Sequence, residues 1–126
     1  MRKTMLVSLI LAAVLAGCAD QKPVRPELVP IAKDVATNLT RGDFDAVEAT
    51  FDDTMKTMLP AAELAKTWAK VEDQAGAFKS MGDTQTALEA GYEVVYVTCV
   101  FENGSIKVKV VFDDANRVAG LFIKNA

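Results

Sequence analysis

The spacing of apolar side chains changes once along the chain, near residue 77. Before that point, apolar residues recur every three or four positions, which is typical of helices packed on a core. This spacing predicts three helical segments, at 28–40, 44–58 and 60–75. Asp52-Asp53 is an N-cap signal, so the second segment has a place to restart at its middle.

After residue 77, valine, isoleucine and aromatic residues dominate, and no segment keeps helical spacing. This part predicts four strands, at 78–88, 92–102, 106–113 and 117–124. The first strand is weak and polar, and Gly82 predicts a bulge or bend in it. Helices followed by an antiparallel meander indicate an α+β fold, with three helical segments packed on one face of a four-stranded antiparallel sheet.

Asn103-Gly104 lies between the two central strands and is a strong signal for a two-residue hairpin turn. Such a turn pairs Phe101 with Ile106 and Cys99 with Val108, and paired side chains share a face of the sheet. One face is then wholly apolar and must pack against the helices. With one tryptophan from the third helical segment, this face supplies the candidate core or pocket residues: Trp68, Val97, Cys99, Phe101, Val108 and Val110.

The opposite face of the central strands is charged near the turn and apolar in its middle, where it carries Val94, Tyr96, Val100 and Val111. No predicted element remains to cover these side chains, and a large exposed apolar patch usually marks an interaction site. We expect an interface here, with Lys107, Lys109 and Asp113 as its polar rim. The expected partner is a second copy of the chain or another envelope protein, unless residues 19–27 fold back over the sheet.

The chain begins with two basic residues, an apolar run from Met5 to Ala16, and then Gly17 and Cys18. At ~1.5 Å per residue this run covers ~18 Å as a helix, too short for a hydrocarbon core of ~30 Å, so it reads as a secretory signal peptide. Leu15-Ala16-Gly17-Cys18 resembles the bacterial lipobox, which implies cleavage before Cys18 and lipidation of its thiol.

These features divide the chain into a signal peptide at 1–17, a flexible tether at 18–27 and a single domain at 28–126. The tether contains two prolines and mixed charge with little to bury. The lipid implies a location in the cell envelope, anchored to a membrane and facing the periplasm or the exterior.

The composition excludes several classes of partner and chemistry. The chain has 14 basic and 17 acidic residues, which disfavours nucleic acid as a partner. It contains no histidine, so it lacks the base of Ser-His-Asp and Cys-His hydrolases and the ligands of histidine zinc sites. We therefore expect no catalytic residues, no metal and no cofactor. Cys18 carries lipid, so Cys99 has no disulfide partner and is expected to be a buried packing residue.

Two stretches, FDDTMKTMLPAAELAKTWAKVEDQAGAFKS and GYEVVYVTCVFENGSIKVKVVFDDANRVAGLFI, resemble the bacterial family called domain of unknown function 3887. The resemblance covers residues 28 to 124, and its markers are Leu64 with Trp68, Gly76 and the closing Val118-Ala119-Gly120-Leu121. It implies a cone of the nuclear transport factor 2-like type. Related domains often precede an α/β-hydrolase in longer proteins.

The interpretation that follows is a non-catalytic envelope lipoprotein that binds a small apolar ligand in its cone or presents a surface to a protein partner. One alternative is a small cone-fold enzyme of the isomerase or dehydratase type, which would need a buried carboxylate near Trp68. The other is a structural role in envelope assembly. A filled cone would remove both pocket hypotheses.

Overall fold

The computed structural model of the protein describes residues 24–126, so Cys18 and the predicted signal peptide lie outside the described residues. Four helices come first: α1 (Leu28–Arg41), α2 (Phe44–Glu48), α3 (Asp53–Met58) and α4 (Ala61–Ala75). Four strands follow: β1 (Phe78–Glu89), β2 (Tyr92–Phe101), β3 (Gly104–Phe112) and β4 (Val118–Asn125). They form an antiparallel sheet in the order β1-β2-β3-β4, which confirms the predicted α+β class. No helix within residues 24–126 has the length and apolar character needed to cross a membrane.

The second predicted helical segment is divided into α2 and α3, so this part of the chain has four helices where the spacing predicts three. Between them, Phe51 forms a parallel bridge to Val118 of β4. The Asp52 N–H donates to the Val118 carbonyl at 2.9 Å, and the Val118 N–H donates to the Thr50 carbonyl at 2.8 Å. Asp52 then caps α3, because its side chain accepts a hydrogen bond from the Met55 N–H at 2.8 Å. Pairing with the sheet therefore divides into two helices a segment whose apolar spacing is continuous.

The hairpin between β2 and β3 has a different register from the predicted one. Cys99 pairs with Ile106 and not with Val108, a shift of two residues. The loop consists of Glu102 and Asn103, and neither has the positive φ that a type I′ turn requires. The expectation of an Asn103-Gly104 turn is therefore wrong.

Hydrogen bonds to the chain that follows α4 explain this loop. The Asn103 N–H donates to the Ala75 carbonyl and the Glu102 N–H to the Ala77 carbonyl, each at 2.9 Å. The Glu102 side chain accepts from the Ala77 N–H at 2.7 Å. These tertiary hydrogen bonds, and not local turn propensity, determine the position of the loop and the register of the hairpin. Because the shift is by an even number of residues, every side chain of β2 and β3 keeps its predicted face.

A single apolar core lies between the helices and the inner face of the sheet, to which β2 and β3 contribute alternate side chains. The Phe101 ring lies 6.0 Å from the Trp68 ring and 5.7 Å from the Phe78 ring, centroid to centroid. Within residues 24–126, no polar or charged side chain is buried. The sheet also has an outer face, which carries Val94, Tyr96, Val100, Val111 and the side chains in register with them.

Residues 24–27, which the sequence assigns to the tether, are bonded to the domain. The backbone N–H and Nε of Arg25 donate to the Glu93 carboxylate at 2.6 and 2.8 Å. The Arg25 guanidinium also donates to the Asp113 carbonyl at 2.9 Å and to the Asn116 side chain. Val24 packs against the core. The chain is therefore held beside the start of β2 and the β3–β4 loop before α1 begins.

Candidate functional site

The candidate core or pocket residues are all buried in the core: Trp68, Val97, Cys99, Phe101, Val108 and Val110. Burial raises the pKa of the Cys99 thiol to about 11, so this thiol stays protonated at neutral pH. Its Sγ lies 3.8 Å from the Sδ of Met81. No residue within 24–126 supplies the buried carboxylate near Trp68 that the isomerase alternative requires.

The candidate interface residues share the outer face of the sheet: Val94, Tyr96, Val100 and Val111. These side chains are less exposed than the expected open apolar patch requires. Val94 is fully buried, and the other three are half-buried. The exposed aromatic side chains on this face are Tyr92 and Phe122, each 52% exposed.

Three lysine ammonium groups surround the Tyr96 ring. The Nζ atoms of Lys107, Lys109 and Lys124 lie 6.0, 5.9 and 5.9 Å from the ring centroid. Lys109 Nζ also lies 5.4 Å from the centroid of Phe122. Lys107 and Lys109 alternate on β3, and Lys124 of β4 pairs with Lys107, so the register brings all three to the outer face. We name this group the Tyr96 cluster: Tyr96, Lys107, Lys109, Lys124, Phe122 and Glu89.

Glu89 is the acidic member of the Tyr96 cluster. Its carboxylate accepts hydrogen bonds from Lys109 Nζ, at 2.7 Å, and from the Tyr96 hydroxyl. These two bonds lower the pKa of Glu89, and the same contacts raise the pKa of Tyr96 and of Lys109. In the described part of the chain, Lys107 and Lys124 form no ion pair. The Tyr96 cluster therefore contains one carboxylate and three ammonium groups.

Sequence reasoning finds this face but not the whole cluster. It assigns Lys107 and Lys109 to a polar rim, whereas the structure places their ammonium groups beside Tyr96. It does not single out Glu89, Phe122 or Lys124, which come from the two outer strands. The signal that could have found Lys124 and Phe122 is the alternation of β4, once β4 is paired in register with β3.

A groove of about 360 Å³ lies between the second half of α4 and the neighbouring ends of β3 and β4. Its apolar side chains are Val71, Ala75, Ile106 and Ile123, and its polar ones include Lys70, Gln74, Asn103 and Lys124. None of the six candidate pocket residues lines it. Within residues 24–126, no group of three or more histidine, cysteine, aspartate or glutamate residues is placed to hold a metal ion.

The chain matches the sequence profile of a family described as "Protein of unknown function (DUF3887)" over residues 32–121. It belongs to the DUF3887 family. The match runs from α1 into β4, so the family covers the helices together with the sheet.

Among curated proteins, this DUF3887 chain is similar to "Esterase EstD" of Thermotoga maritima, with 28% identity over 126 residues. The alignment covers 100% of this chain and 28% of the esterase, so the chain spans less than a third of that relative's length. No solved structure matches the chain.

Proposed function

We propose that this protein is a non-catalytic interaction module of the cell envelope, anchored to a membrane by lipid on Cys18. In this proposal the outer face of the sheet docks a partner protein with an acidic surface. The observation that carries it is the Tyr96 cluster, where three ammonium groups gather around one aromatic ring on a face outside the core.

The charge of the cluster selects the partner. Like charges that share a small surface repel one another, and a single carboxylate, Glu89, offsets only part of this repulsion. Carboxylates of a partner would complete the pairing and would also speed its association. Tyr96 and Phe122 add the aromatic area that interfaces favour at their centres.

The same charge argues against the homodimer expectation on this face. A twofold symmetric interface places the same patch of both copies in contact. It would bring six lysines together against two copies of Glu89. We therefore propose a different protein as the partner, not a second copy.

The family and the esterase similarity support an accessory role. The chain has no histidine, so it does not supply the base of the Ser-His-Asp arrangement common among esterases. We propose that this type of domain serves binding next to a catalytic unit. We also propose the nuclear transport factor 2-like cone for its architecture, which the helices packed on one face of a single sheet support.

Site-specific photocrosslinking in cells tests the docking surface. A photoreactive residue in place of Phe122 should crosslink one partner, whereas the same residue in place of Met58, which is 73% exposed on α3, should not. Adding Lys107→Glu should abolish the Phe122 product, because it reverses a charge in the cluster. Raising the salt concentration should weaken it.

A product at the mass of two chains would assign the face to a homodimer. A product that withstands both charge reversal and high salt would rule out the acidic partner. A crosslink to nucleic acid would contradict the proposal as well.

A further inference from the structure

Among residues 24–126, no strand pairs with the outer side of the second half of β4. The Ala126 N–H donates to the Ser105 carbonyl at 3.1 Å, which makes residues 105 and 126 a hydrogen-bonded pair. Hydrogen-bonded and non-hydrogen-bonded pairs alternate along an antiparallel ladder. Ile123 pairs with Val108 and Asn125 with Ile106, so these are non-hydrogen-bonded pairs. The backbone N–H and C=O groups of Ile123 and Asn125 therefore point away from β3, toward the edge.

The two edges of the sheet differ in how far they are protected. At its start, β4 is covered by the bridge between Phe51 and Val118, but from Gly120 to Asn125 its pairing with β3 has no register shift. β1, at the other edge, carries two register shifts, between Phe78 and Ser80 and between Met81 and Thr84. Such irregularities protect an edge against added strands. The regular stretch of β4 lacks this protection.

The groove of about 360 Å³ runs beside this regular stretch, since Ile123, Lys124 and Asn125 line it together with α4 residues. Its apolar floor would hold one or two side chains of an added strand. Lys70 also lines the groove and forms no ion pair within residues 24–126. The ammonium group of Lys124 lies beside the Tyr96 ring instead. The unpaired backbone groups of the edge favour the addition of another strand, and the ammonium group of Lys70 favours a carboxylate on that strand.

We propose that an extended acidic polypeptide segment binds here by adding a strand to β4, with an apolar side chain in the groove and an acidic side chain facing Lys70. Backbone hydrogen bonds to Ile123 and Asn125 supply affinity, and the groove supplies specificity. The edge backbone of Ile123 and Asn125 and the side chain of Lys70 are not part of the Tyr96 cluster, so the inference does not rest on the proposed function.

Selection from a display library of random seven-residue peptides, using the full chain in a mild detergent, tests the site. Enriched peptides should alternate apolar and other residues and carry glutamate or aspartate. A synthetic copy of an enriched peptide should protect the Ile123 and Asn125 amides from hydrogen exchange. Methylating alternate backbone nitrogens of the peptide should weaken binding about tenfold or more, because each methyl group removes a backbone hydrogen bond to the edge.

Two variants of the chain and one control variant complete the test. Asn125→Pro removes an edge N–H that makes no bond to β3, and it should weaken binding while leaving the fold intact. Lys70→Glu should weaken binding, and Lys66→Glu, the same change on the same helix outside the groove, should not.

Four results would overturn the proposal: no enriched peptide, binding that survives both the methylated peptide and Asn125→Pro, slow exchange of Ile123 and Asn125 without any peptide, or displacement of the peptide by octanoate. The third result would show an edge that is already covered. The last would assign the groove to a small amphipathic carboxylate.

Discussion

At the scale of single residues, Ala90 occupies the backbone conformation least suited to its side chain. Ala90 and Gly91 form the two-residue loop between β1 and β2, with φ of 52° and 83°. Positive φ at both positions is typical of a type I′ turn, where asparagine followed by glycine is preferred. Alanine tolerates this region poorly, at a cost of ~1 kcal/mol.

We therefore expect Ala90→Asn to stabilise the protein by ~0.5–1 kcal/mol, measured by urea unfolding. The control is Ala115→Asn, an exposed loop alanine without positive φ, which should be neutral or slightly destabilising. Equal effects of the two variants would show that backbone strain at Ala90 is not the cause.

The protonation of Asp113 is expected to change the stability of the fold. Partial burial acts to raise its pKa, but hydrogen bonds from the Arg117 and Ala115 N–H groups, at 2.8 and 2.9 Å, and from the Arg117 side chain outweigh burial and lower it. A carboxyl whose pKa is lower in the folded state stabilises the fold above its unfolded pKa and loses this contribution as the pH falls through its folded pKa.

Asp113→Asn should accordingly be less stable than the wild type near neutral pH and should lose less stability on acidification. Urea unfolding between about pH 6 and about pH 2 measures both effects. An unchanged slope of stability against pH in the variant would contradict the role of Asp113. Glu89, with its pKa also lowered, keeps part of the acid sensitivity in either chain.

At the scale of elements, alternation and helical spacing were enough to place most of the fold. They predict the four strands within a few residues and both faces of β2 and β3, because period and composition are local properties. They do not predict the hairpin loop, which Ala75 and Ala77 hold from outside, or the pairing of Asp52 with Val118, although the Asp52-Asp53 N-cap signal does mark the point where the helix restarts. Both features depend on contacts between residues that are distant in sequence, which local patterns do not encode.

The strand faces predict opposite outcomes for neighbouring charge substitutions on β3. Val108→Asp places an unpaired carboxylate in the core, at a cost of several kcal/mol, comparable to the whole stability of a small domain, so we expect an unfolded chain. Lys107→Asp, one residue away on the outer face, should change stability by no more than ~0.5 kcal/mol. Lys109 is unsuitable as the control, since it is bonded to Glu89. Circular dichroism separates the two outcomes, and similar spectra would contradict the face assignment.

At the scale of the whole molecule, the sequence predicts which face of the sheet carries the candidate interface. It does not predict that this face is positively charged. Val94, Tyr96, Val100 and Val111 share that face because they alternate with core residues along β2 and β3. The charged character arises because side chains from β1 and β4 reach the same ring, and that depends on the register across four strands. The groove beside α4 could not be predicted from the sequence either, because no local pattern encodes the gap between a helix and a sheet edge.

The proposed lipid anchor is a whole-molecule property, and the two cysteines of the chain provide its test. Cys18→Ala should abolish incorporation of labelled palmitate and move the protein from the membrane to the soluble fraction of a Gram-negative host. Cys99→Ala should retain both properties, because the Cys99 thiol is enclosed in the core and its pKa is raised to about 11. Both variants should fold, since the core cluster draws on residues from 24 onward and Cys99→Ala removes a single sulfur atom from it. Equal labelling of Cys18→Ala would refute the anchor, and loss of label in Cys99→Ala alone would move the acylation site to the core cysteine.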